Sequence, residues 1–302
     1  MSDFFDLQVN GYGGVDFNSD HLSADDLHRA CLLLRADGVA AILATIVTEE
    51  LGAMQHRIAR LVELREKDEV VRAMIAGIHV EGPFLNETAG FRGAHPADAM
   101  RPANVDDAQK LLEAGQGLVK LVTLAPDRDA NATTTRFLSE RGVRVAAGHS
   151  DASLDELERA IDNGLTLYTH LGNGCPMQMH RHDNIIQRAL SLSDRLWLCF
   201  IADGVHIPFF ALRNYLRAAD LERVVIVSDA VAPAGLGPGR YTFGRWTVDV
   251  GADLAVRAPD GSHLVGSAIS MKQSSANLRL HLGLPEPTIR ALCVENPQRA
   301  LA

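Results

Sequence analysis

The sequence predicts an α/β fold, and within that class a (β/α)8 barrel of the TIM type. Three observations support this prediction. Short apolar segments recur along the first 230 or so residues, amphipathic segments of helical period separate them, and polar residues follow the apolar segments, where barrel enzymes place their chemistry. A doubly wound sheet is the alternative architecture that the same alternation allows.

The predicted strands are apolar and lack strict alternation, as expected for parallel strands that are covered on both faces. They are Phe5–Asn10, Val39–Val47, Ile75–Val80, Leu118–Leu124, Val143–Ala147, Leu165–Thr169, Leu196–Ile201 and Val224–Val227.

Helical signals lie between these strands. The segment from Ser23 to Ala36 begins with a capping residue, and Leu51–Glu66 carries apolar residues at helical spacing. Ser153 and Glu156 form a capping-box pattern, and Asn163-Gly164 predicts the end of that helix, because glycine accepts the left-handed conformation there.

The pattern changes after the eighth strand, where turn residues and short alternating segments predict hairpins before two closing helices. The turn is Gly235–Gly239, the hairpin segments are Tyr241–Val250 and Leu254–Val265, and the helices are Ser267–Leu282 and Pro287–Val294. We therefore predict a single domain over residues 1–302, with residues 235–266 as a hairpin insertion.

Composition narrows the class of protein. Hydrophobic residues make up 47 % of the chain and charged residues 22 %, and the formal net charge is −9. An acidic chain argues against nucleic-acid partners, although a few local basic residues suffice to bind one small phosphate. No apolar run is long enough for a membrane helix, and the acidic start lacks the features of a secretory signal, so we expect a cytoplasmic protein without a membrane partner.

The four cysteines are widely spaced and form no CxxC pair, so a thiolate metal site is not expected. A metal would have to be held by histidine and carboxylate side chains. Polar residues, most of them of these two types, lie at or just after the ends of most predicted strands: Gln8 and Asn10, His79 and Glu81, His149, His170, Asp203 and His206, and Asp229. One histidine alone is more often structural, but several that converge on one barrel mouth suit Zn²⁺, with Fe²⁺, Mn²⁺ or Co²⁺ as alternatives.

Several segments resemble the N-acetylglucosamine-6-phosphate deacetylase family of the amidohydrolase superfamily, in the family's order and along nearly the whole chain. They are Gln8–Gly14, His79–Asn86, Val122–Pro126, Ala147–Ser150, Thr169–Asn173, Ala202–His206, Ser228–Gly235 and Gly266–Ala268. The resemblance implies that Glu81, His149 and His170 bind the metal and that Asp229 is the catalytic acid and base. It also implies that His206 contacts the substrate and helps to polarise its amide carbonyl.

The resemblance further implies a sugar site and a phosphate contact. The residues that would line the sugar are Ala94, His95, Asn173, Gly174, His206, Leu264, Val265 and Gly266. Arg181, with His180 or His182 beside it, falls where the family places a phosphate-binding arginine.

One metal ion per chain is expected. Binuclear relatives carry a histidine pair where this chain has Gln8 and Asn10, and an amide is a far poorer metal ligand than an imidazole. A carbamylated Lys120 that bridges two ions is the less favoured alternative.

The chain also departs from the family pattern. Most of the family's small β-sandwich is expected to be missing, the loop after strand six is richer in histidine than usual, and the loop after strand three has Arg92 but none of the familiar lysines. The resemblance implies that these loops face the substrate, so the sugar epimer and its phosphorylation stay open.

Three functions remain open from the sequence. The first is metal-dependent removal of an acetyl group from an N-acetyl amino sugar, and the favoured substrate is N-acetylglucosamine 6-phosphate. This reaction would be a step of amino sugar and carbohydrate metabolism. The second is another amidohydrolase reaction, either cyclic-amide hydrolysis or deamination. The third is a non-catalytic binding protein, against which the retained ligands and Asp229 argue. A homodimer is one open oligomeric state.

Overall fold

The computed structural model describes residues 3–243, 246–258, 260–261 and 263–302. Its strands are β1 (Phe4–Val9), β2 (Gly11–Tyr12), β3 (Val15–Asp16), β4 (Val39–Val47), β5 (Ile75–Glu81), β6 (Val119–Leu124), β7 (Arg144–Ala147), β8 (Leu165–Tyr168), β9 (Trp197–Ile201), β10 (Val224–Val227), β11 (Gly239–Phe243), β12 (Trp246–Val250), β13 (Ala255–Arg257) and β14 (Leu264–Ser267).

The helices alternate with the strands through most of the chain. They are α1 (Ala24–Ala36), α2 (Leu51–Lys67), α3 (Glu69–Met74), α4 (Val105–Gly115), α5 (Thr133–Ser139), α6 (Leu154–Asp162), α7 (Ile185–Ser191), α8 (Phe209–Ala218), α9 (Met271–Leu282), α10 (Glu286–Arg290) and α11 (Asn296–Leu301). Short 3₁₀ turns cover Pro126–Arg128, Ala130–Ala132 and Leu221–Arg223, and a π-helical turn covers Ala291–Glu295.

The strands β1 and β4 to β10 form one parallel sheet in chain order, which curls into a nearly closed barrel. Its two edges meet where the backbone N–H of Asn10 donates to the carbonyl of Ala230 at 2.7 Å, and Val9 bridges Ala230 in parallel. The eight predicted strands are therefore confirmed. The doubly wound alternative is wrong, because that fold would leave the sheet open.

Apolar side chains fill both sides of the barrel wall. One cluster joins residues from many strands inside the barrel, including Leu7, Leu43, Leu121, Leu167 and Val225, and Ala300 of α11 packs against it. A larger cluster joins the strands to the surrounding helices. Because parallel strands bury both faces, their apolar runs need no alternation.

The predicted helix signals are largely confirmed. Ser23 caps α1, Ser153 and Glu156 form the capping box of α6, and Gly164 follows that helix with a positive φ of 104°. No helix within the described ranges is long and apolar enough to span a membrane.

The predicted helix start at Ser267 is wrong. Residues Leu264–Ser267 form β14, where the Ser267 backbone N–H donates to the carbonyl of Asp229 at 3.0 Å. The helix α9 begins at Met271, because Ser270 and Gln273 provide its capping box. Likewise, the predicted helix Pro287–Val294 is divided between α10 and the π-helical turn.

The four strands after the barrel, β11 to β14, pair antiparallel in sequence order, as the hairpin prediction required. Part of the two predicted hairpin segments, residues 244, 245, 259 and 262, lies outside the described residues. Val231, Val248, Val256 and Val265 form a small cluster under this sheet, and Ala94 packs against it. The sheet is thereby joined to the loops at the carboxyl ends of the barrel strands.

Candidate metal centre and active site

The carboxyl ends of three barrel strands bring one carboxylate and two imidazoles together. Glu81 ends β5, and His149 and His170 follow β7 and β8. Glu81 Oε1 lies 3.2 Å from His149 Nε2 and 2.9 Å from His170 Nε2, and the two nitrogens lie 3.2 Å apart. All three side chains are buried.

The three donor atoms form a nearly equilateral triangle whose size suits a metal ion. Ligands at 2.0–2.1 Å from a tetrahedral Zn²⁺ lie about 3.3 Å from one another, close to the observed separations. The two imidazole nitrogens face each other beside a carboxylate oxygen, and a cation between the three atoms would bind their lone pairs. Glu81, His149 and His170, which the resemblance assigned to the metal, are therefore brought together in a geometry that fits one.

The loop after β5 orients His149 for this role. His149 Nδ1 lies 2.8 Å from the carbonyl oxygen of Phe91, which can only accept, so Nδ1 carries the proton and Nε2 is left with a lone pair. Gly174 also lies against this ring. A Cβ on Gly174 would lie 2.7 Å from His149 Nδ1, and its φ is +60°, so only glycine fits there.

Three of the site residues have backbones in the left-handed region. His149, His170 and Asp229 have φ values of 51°, 31° and 50°. Non-glycine residues seldom adopt such values, and they persist where surrounding contacts fix them, often at functional sites. The turn after each strand points these side chains toward the same space.

The charges in the cluster are strongly linked. Burial favours the neutral acid, but hydrogen bonds with His149 and His170 outweigh it and hold the pKa of Glu81 well below its usual range. Burial also disfavours protonated His170, yet its hydrogen bond to Glu81 and the charge of that carboxylate raise the pKa of His170. An ionised carboxylate thus attracts positive charge at the place where a metal ion would lie.

Asp229 is a half-buried carboxylate at this end of the barrel. Burial, followed by the negative charge of Glu81, raises the pKa of Asp229 to about 6. Its Oδ1 accepts a hydrogen bond of 2.7 Å from Asn10 Nδ2. A carboxyl group with a pKa near neutrality is suited to accept and return a proton.

His206 is oriented by Asp203, a residue to which the family resemblance assigned no role. His206 Nδ1 lies 2.5 Å from Asp203 Oδ2, and the backbone N–H of His206 donates to Asp203 Oδ1 at 2.8 Å. Burial raises the pKa of Asp203, but the hydrogen bonds from His206 and the backbone outweigh it, and the pKa is lowered. The signal available in the sequence was an aspartate three residues before the histidine in the same loop.

His95, which the resemblance assigned to the sugar, lies next to Glu81 and His149. The donor atoms of Glu81, His95 and His149 all lie within 4.8 Å of one another, and His95 Nε2 is 3.9 Å from Glu81 Oε1. The His95 ring also packs edge-on against His149, with 4.5 Å between ring centroids. His95 therefore borders the cluster, where it can contact both a substrate and its ligands.

The other predicted sugar residues fall into two places. Gly266 lies beside the Asp229 turn, since a Cβ there would be 3.2 Å from the Asp229 carbonyl oxygen, and Leu264 and Val265 precede it on β14. Asn173 is half-buried, and its Nδ2 donates to the His170 carbonyl at 3.1 Å.

The remaining basic residues differ from the cluster in exposure. Arg181 lies exposed on the loop after β8, with exposed His180 and His182 beside it. Lys120 is also exposed, and its ammonium donates to the Gly117 carbonyl at 2.9 Å. The alternative of a metal-bridging Lys120 is therefore wrong.

His79 belongs to the barrel interior and lies outside the triangle. Its Nε2 lies 2.7 Å from Thr123 Oγ1, and burial lowers the pKa of His79 to about 4. This histidine follows the more common structural pattern.

The chain is similar in sequence to N-acetylglucosamine-6-phosphate deacetylases of several organisms. No model of a protein family matches it. It is 36 % identical over 260 residues to the N-acetylglucosamine-6-phosphate deacetylase of Danio rerio, covering 82 % of this chain and 62 % of that protein. It is 30 % identical over 298 residues to that of Bacillus subtilis, covering 98 % of this chain and 74 % of the relative.

Among solved structures, the chain is similar to the Mycobacterium smegmatis N-acetyl-D-glucosamine-6-phosphate deacetylase in complex with N-acetyl-D-glucosamine-6-phosphate. The TM-score is 0.88 at 31 % identity, over 99 % of this chain and 77 % of the other. The parallel barrel and its Glu–His–His group define an α/β-barrel protein with a candidate metal site. Within that class, the chain belongs to the N-acetylglucosamine-6-phosphate deacetylase family.

Proposed function

We propose that this chain is a metal-dependent amide hydrolase that removes the acetyl group from N-acetylglucosamine 6-phosphate, giving acetate and glucosamine 6-phosphate. The observation that carries the proposal is the triangle of Glu81, His149 and His170, with half-buried Asp229 at the same end of the barrel, in a member of this family. Because the chain spans 62 % of the length of one relative and 74 % of another, the activity of the whole protein is proposed from this site.

Glu81, His149 and His170 would hold one divalent cation, with Zn²⁺ expected first and Fe²⁺, Mn²⁺ or Co²⁺ as alternatives. When bound, such a cation supplies a Lewis acid that acidifies water and polarises a carbonyl group. The protein's own contribution is a set of three donors that are already oriented and one proton-transfer group beside them.

Asp229 would take the proton of the attacking water and then return it to the leaving amine, which must be protonated to depart. The two transfers follow one another, so one carboxyl group serves both. His206, held by Asp203, would donate to the oxygen of the scissile amide, where negative charge develops during attack.

The sugar would lie between the loop after β5, the loop after β8 and the strand β14, against Ala94, His95, Asn173, Gly174, Leu264, Val265 and Gly266. Arg181 would bind the 6-phosphate. Its planar guanidinium can pair two phosphate oxygens at once, and its exposure in the present structure leaves it available to a ligand.

Some expectations from the sequence remain proposals. They are the single domain over residues 1–302 with its 235–266 insertion, a much reduced β-sandwich, a cytoplasmic location, a role in amino sugar metabolism and a homodimer as one oligomeric state. The four-stranded antiparallel sheet from β11 to β14 departs from the barrel pattern.

The test is product analysis with N-acetylglucosamine 6-phosphate and Zn²⁺-loaded protein. We expect acetate release in step with the appearance of a primary amine, and no ammonia. The Glu81→Gln variant should release little acetate, which excludes a contaminating enzyme. N-acetylgalactosamine 6-phosphate in parallel reports the preferred epimer. Ammonia without acetate, or turnover of cyclic amides alone, would contradict the proposal in favour of another amidohydrolase reaction.

A further inference from the structure

Two amide side chains at the carboxyl end of β1 each contact one of the two site carboxylates. Gln8 Nε2 donates to Glu81 Oε2 at 3.2 Å, and Asn10 Nδ2 donates to Asp229 Oδ1 at 2.7 Å. Both amides are buried, with 1 % and 2 % of their surface exposed. The pairing of β1 with β4 shifts register between Asp6 and Val9, the stretch that contains Gln8.

Each amide takes one carboxylate oxygen and leaves the other for chemistry. Glu81 Oε2 is bound by Gln8, whereas Glu81 Oε1 is the atom that faces His149 and His170. Asn10 binds Asp229 Oδ1, so Oδ2 is the oxygen not taken by the amide. A carboxylate that is held at one oxygen cannot rotate freely about its last torsion, which fixes the direction of the other oxygen.

We propose that Gln8 and Asn10 are positioning residues, Gln8 for the metal ligand Glu81 and Asn10 for the proton-transfer group Asp229. This inference rests on the proposed function. It assigns to two neighbouring amides two separate tasks, one in binding the metal and one in turnover.

A second feature of Asn10 supports its part. Asn10 Oδ1 is buried and has no hydrogen-bond partner among the residues that the structure describes. An unmade hydrogen bond at a buried acceptor is costly, so a donor is expected to reach it in the working enzyme. Asn10 also donates to Asp229, so we expect the donor to Asn10 Oδ1 to be a water molecule that lies next to Asp229. Asp229 is the group that would accept a proton from this water.

The test compares variants that remove one amide at a time. Gln8→Met keeps length and loses the donor, and Asn10→Leu keeps approximate shape and loses the donor. Thr45→Val is the matched control, because Thr45 is a buried residue of β4 whose Oγ1 accepts from Val9 N at 3.1 Å and contacts neither carboxylate. For each protein, Zn²⁺ affinity is measured by competition with a chromogenic chelator, and kcat and KM by acetate release.

We expect the Gln8 variant to change mainly Zn²⁺ affinity and the Asn10 variant to change mainly kcat. Gln8→Met should lower Zn²⁺ affinity about 10- to 100-fold, the usual effect of removing a group that orients a ligand. Asn10→Leu should lower kcat by at least about 10-fold, with Zn²⁺ affinity unchanged and KM within about 3-fold. Thr45→Val should change neither affinity nor kcat, although its melting temperature falls.

Two conservative variants keep the test decisive if an apolar variant does not fold. Gln8→Asn keeps an amide that is too short to reach Glu81, and should lose Zn²⁺ affinity as Gln8→Met does. Asn10→Asp keeps the shape but replaces the donor with an acceptor, and should lose kcat with Zn²⁺ retained. If Gln8 and Asn10 variants instead lose stability, affinity and kcat together, the amides support only the fold and the proposal is wrong.

The outcome also separates this inference from the proposed function. If wild-type protein binds Zn²⁺ but releases no acetate, the deacetylase proposal fails, while a selective loss of Zn²⁺ in Gln8→Met would still uphold the assignment of Gln8. If wild-type protein is an active deacetylase and neither amide changes its own readout, the deacetylase proposal stands and the positioning role is wrong.

Discussion

The buried group of Glu81, His149 and His170 and the exposed loop after β8 differ in how the protein fixes their side chains. The two regions meet in the chain at His170. His170 is buried, directly follows a barrel strand and contacts Glu81 at 2.9 Å. Arg181, eleven positions further on, is exposed, and Met177 between them is fully exposed. The barrel thus fixes the proposed chemistry, whereas the proposed phosphate contact lies on a segment that a ligand has to complete.

This difference assigns separate consequences to the two regions. A substitution in the buried cluster removes a group that other buried groups depend on, so it should affect every substrate alike. A substitution on the exposed loop should affect only substrates that carry the group it contacts. The predictions below test this division, from the largest expected effect on turnover to the smallest.

Glu81→Gln should have the largest effect, because it removes the negative charge that attracts the cation and leaves at most a neutral amide oxygen, a weaker ligand, in the triangle. We expect wild-type protein to bind one equivalent of Zn²⁺, and the variant to lose more than about 100-fold in affinity and most activity, since removal of a merely orienting group already costs 10–100-fold. Elemental analysis after dialysis measures both proteins. Two equivalents in the wild type would contradict the single-metal prediction.

Asp229→Asn should retain the metal and lose turnover. Removal of a group that transfers protons commonly costs about 10²- to 10⁴-fold in rate. We expect a fall of that size in kcat for phosphorylated and unphosphorylated sugars alike, with normal Zn²⁺ content. A folded variant that lacks Zn²⁺ would show that Asp229 is a metal ligand.

The barrel and the cluster could be predicted from the sequence, because the carboxyl ends of parallel strands meet at one end of a barrel. Once Glu81, His149 and His170 were placed after predicted strands, their convergence followed from topology. The structure adds the distances among their donor atoms.

The supporting contacts could not be predicted in the same way. The hydrogen bond between Gln8 and Glu81 involves a residue within the register shift between β1 and β4. The hydrogen bond from His149 to the Phe91 carbonyl depends on the path of the loop after β5. The helix start at Ser267 was misplaced because residues after β10 pair with the Asp229 turn, a contact between distant residues that local periodicity does not report.

Arg181→Ala tests the exposed region. If Arg181 binds the 6-phosphate, kcat/KM for N-acetylglucosamine 6-phosphate should fall roughly 30-fold. This corresponds to a loss of about 2 kcal/mol of transition-state stabilisation, as expected for charge-assisted hydrogen bonds. The unphosphorylated sugar should be nearly unaffected. Arg159→Ala on α6, also an exposed arginine, is the control and should change neither rate. Equal losses on both sugars would mean that Arg181 supports the loop.

The smallest effect on turnover is expected from Asp6→Asn, which tests whether buried polar residues further along β1 affect stability more than chemistry. Asp6 is 1 % exposed, its carboxyl contacts the Ser228 hydroxyl, and burial raises its pKa to about 7. In the unfolded chain the pKa of an aspartate is about 3.9.

The sign of the effect follows from this difference. The folded protein binds the Asp6 proton more tightly than the unfolded chain does, so this stabilisation is fully present below about pH 4 and is lost as the pH rises through about 7. Between pH 5 and pH 7 the loss of stability is on the order of 1 kcal/mol per pH unit.

An asparagine at this position can donate to the Ser228 hydroxyl as the protonated acid does, without titrating. Urea unfolding at several pH values should therefore show a flatter pH dependence in Asp6→Asn than in the wild type, with kcat within a few-fold. An unchanged slope would show that Asp6 is ionised in the folded protein, and a large loss of kcat would extend the catalytic region down β1 to this carboxyl.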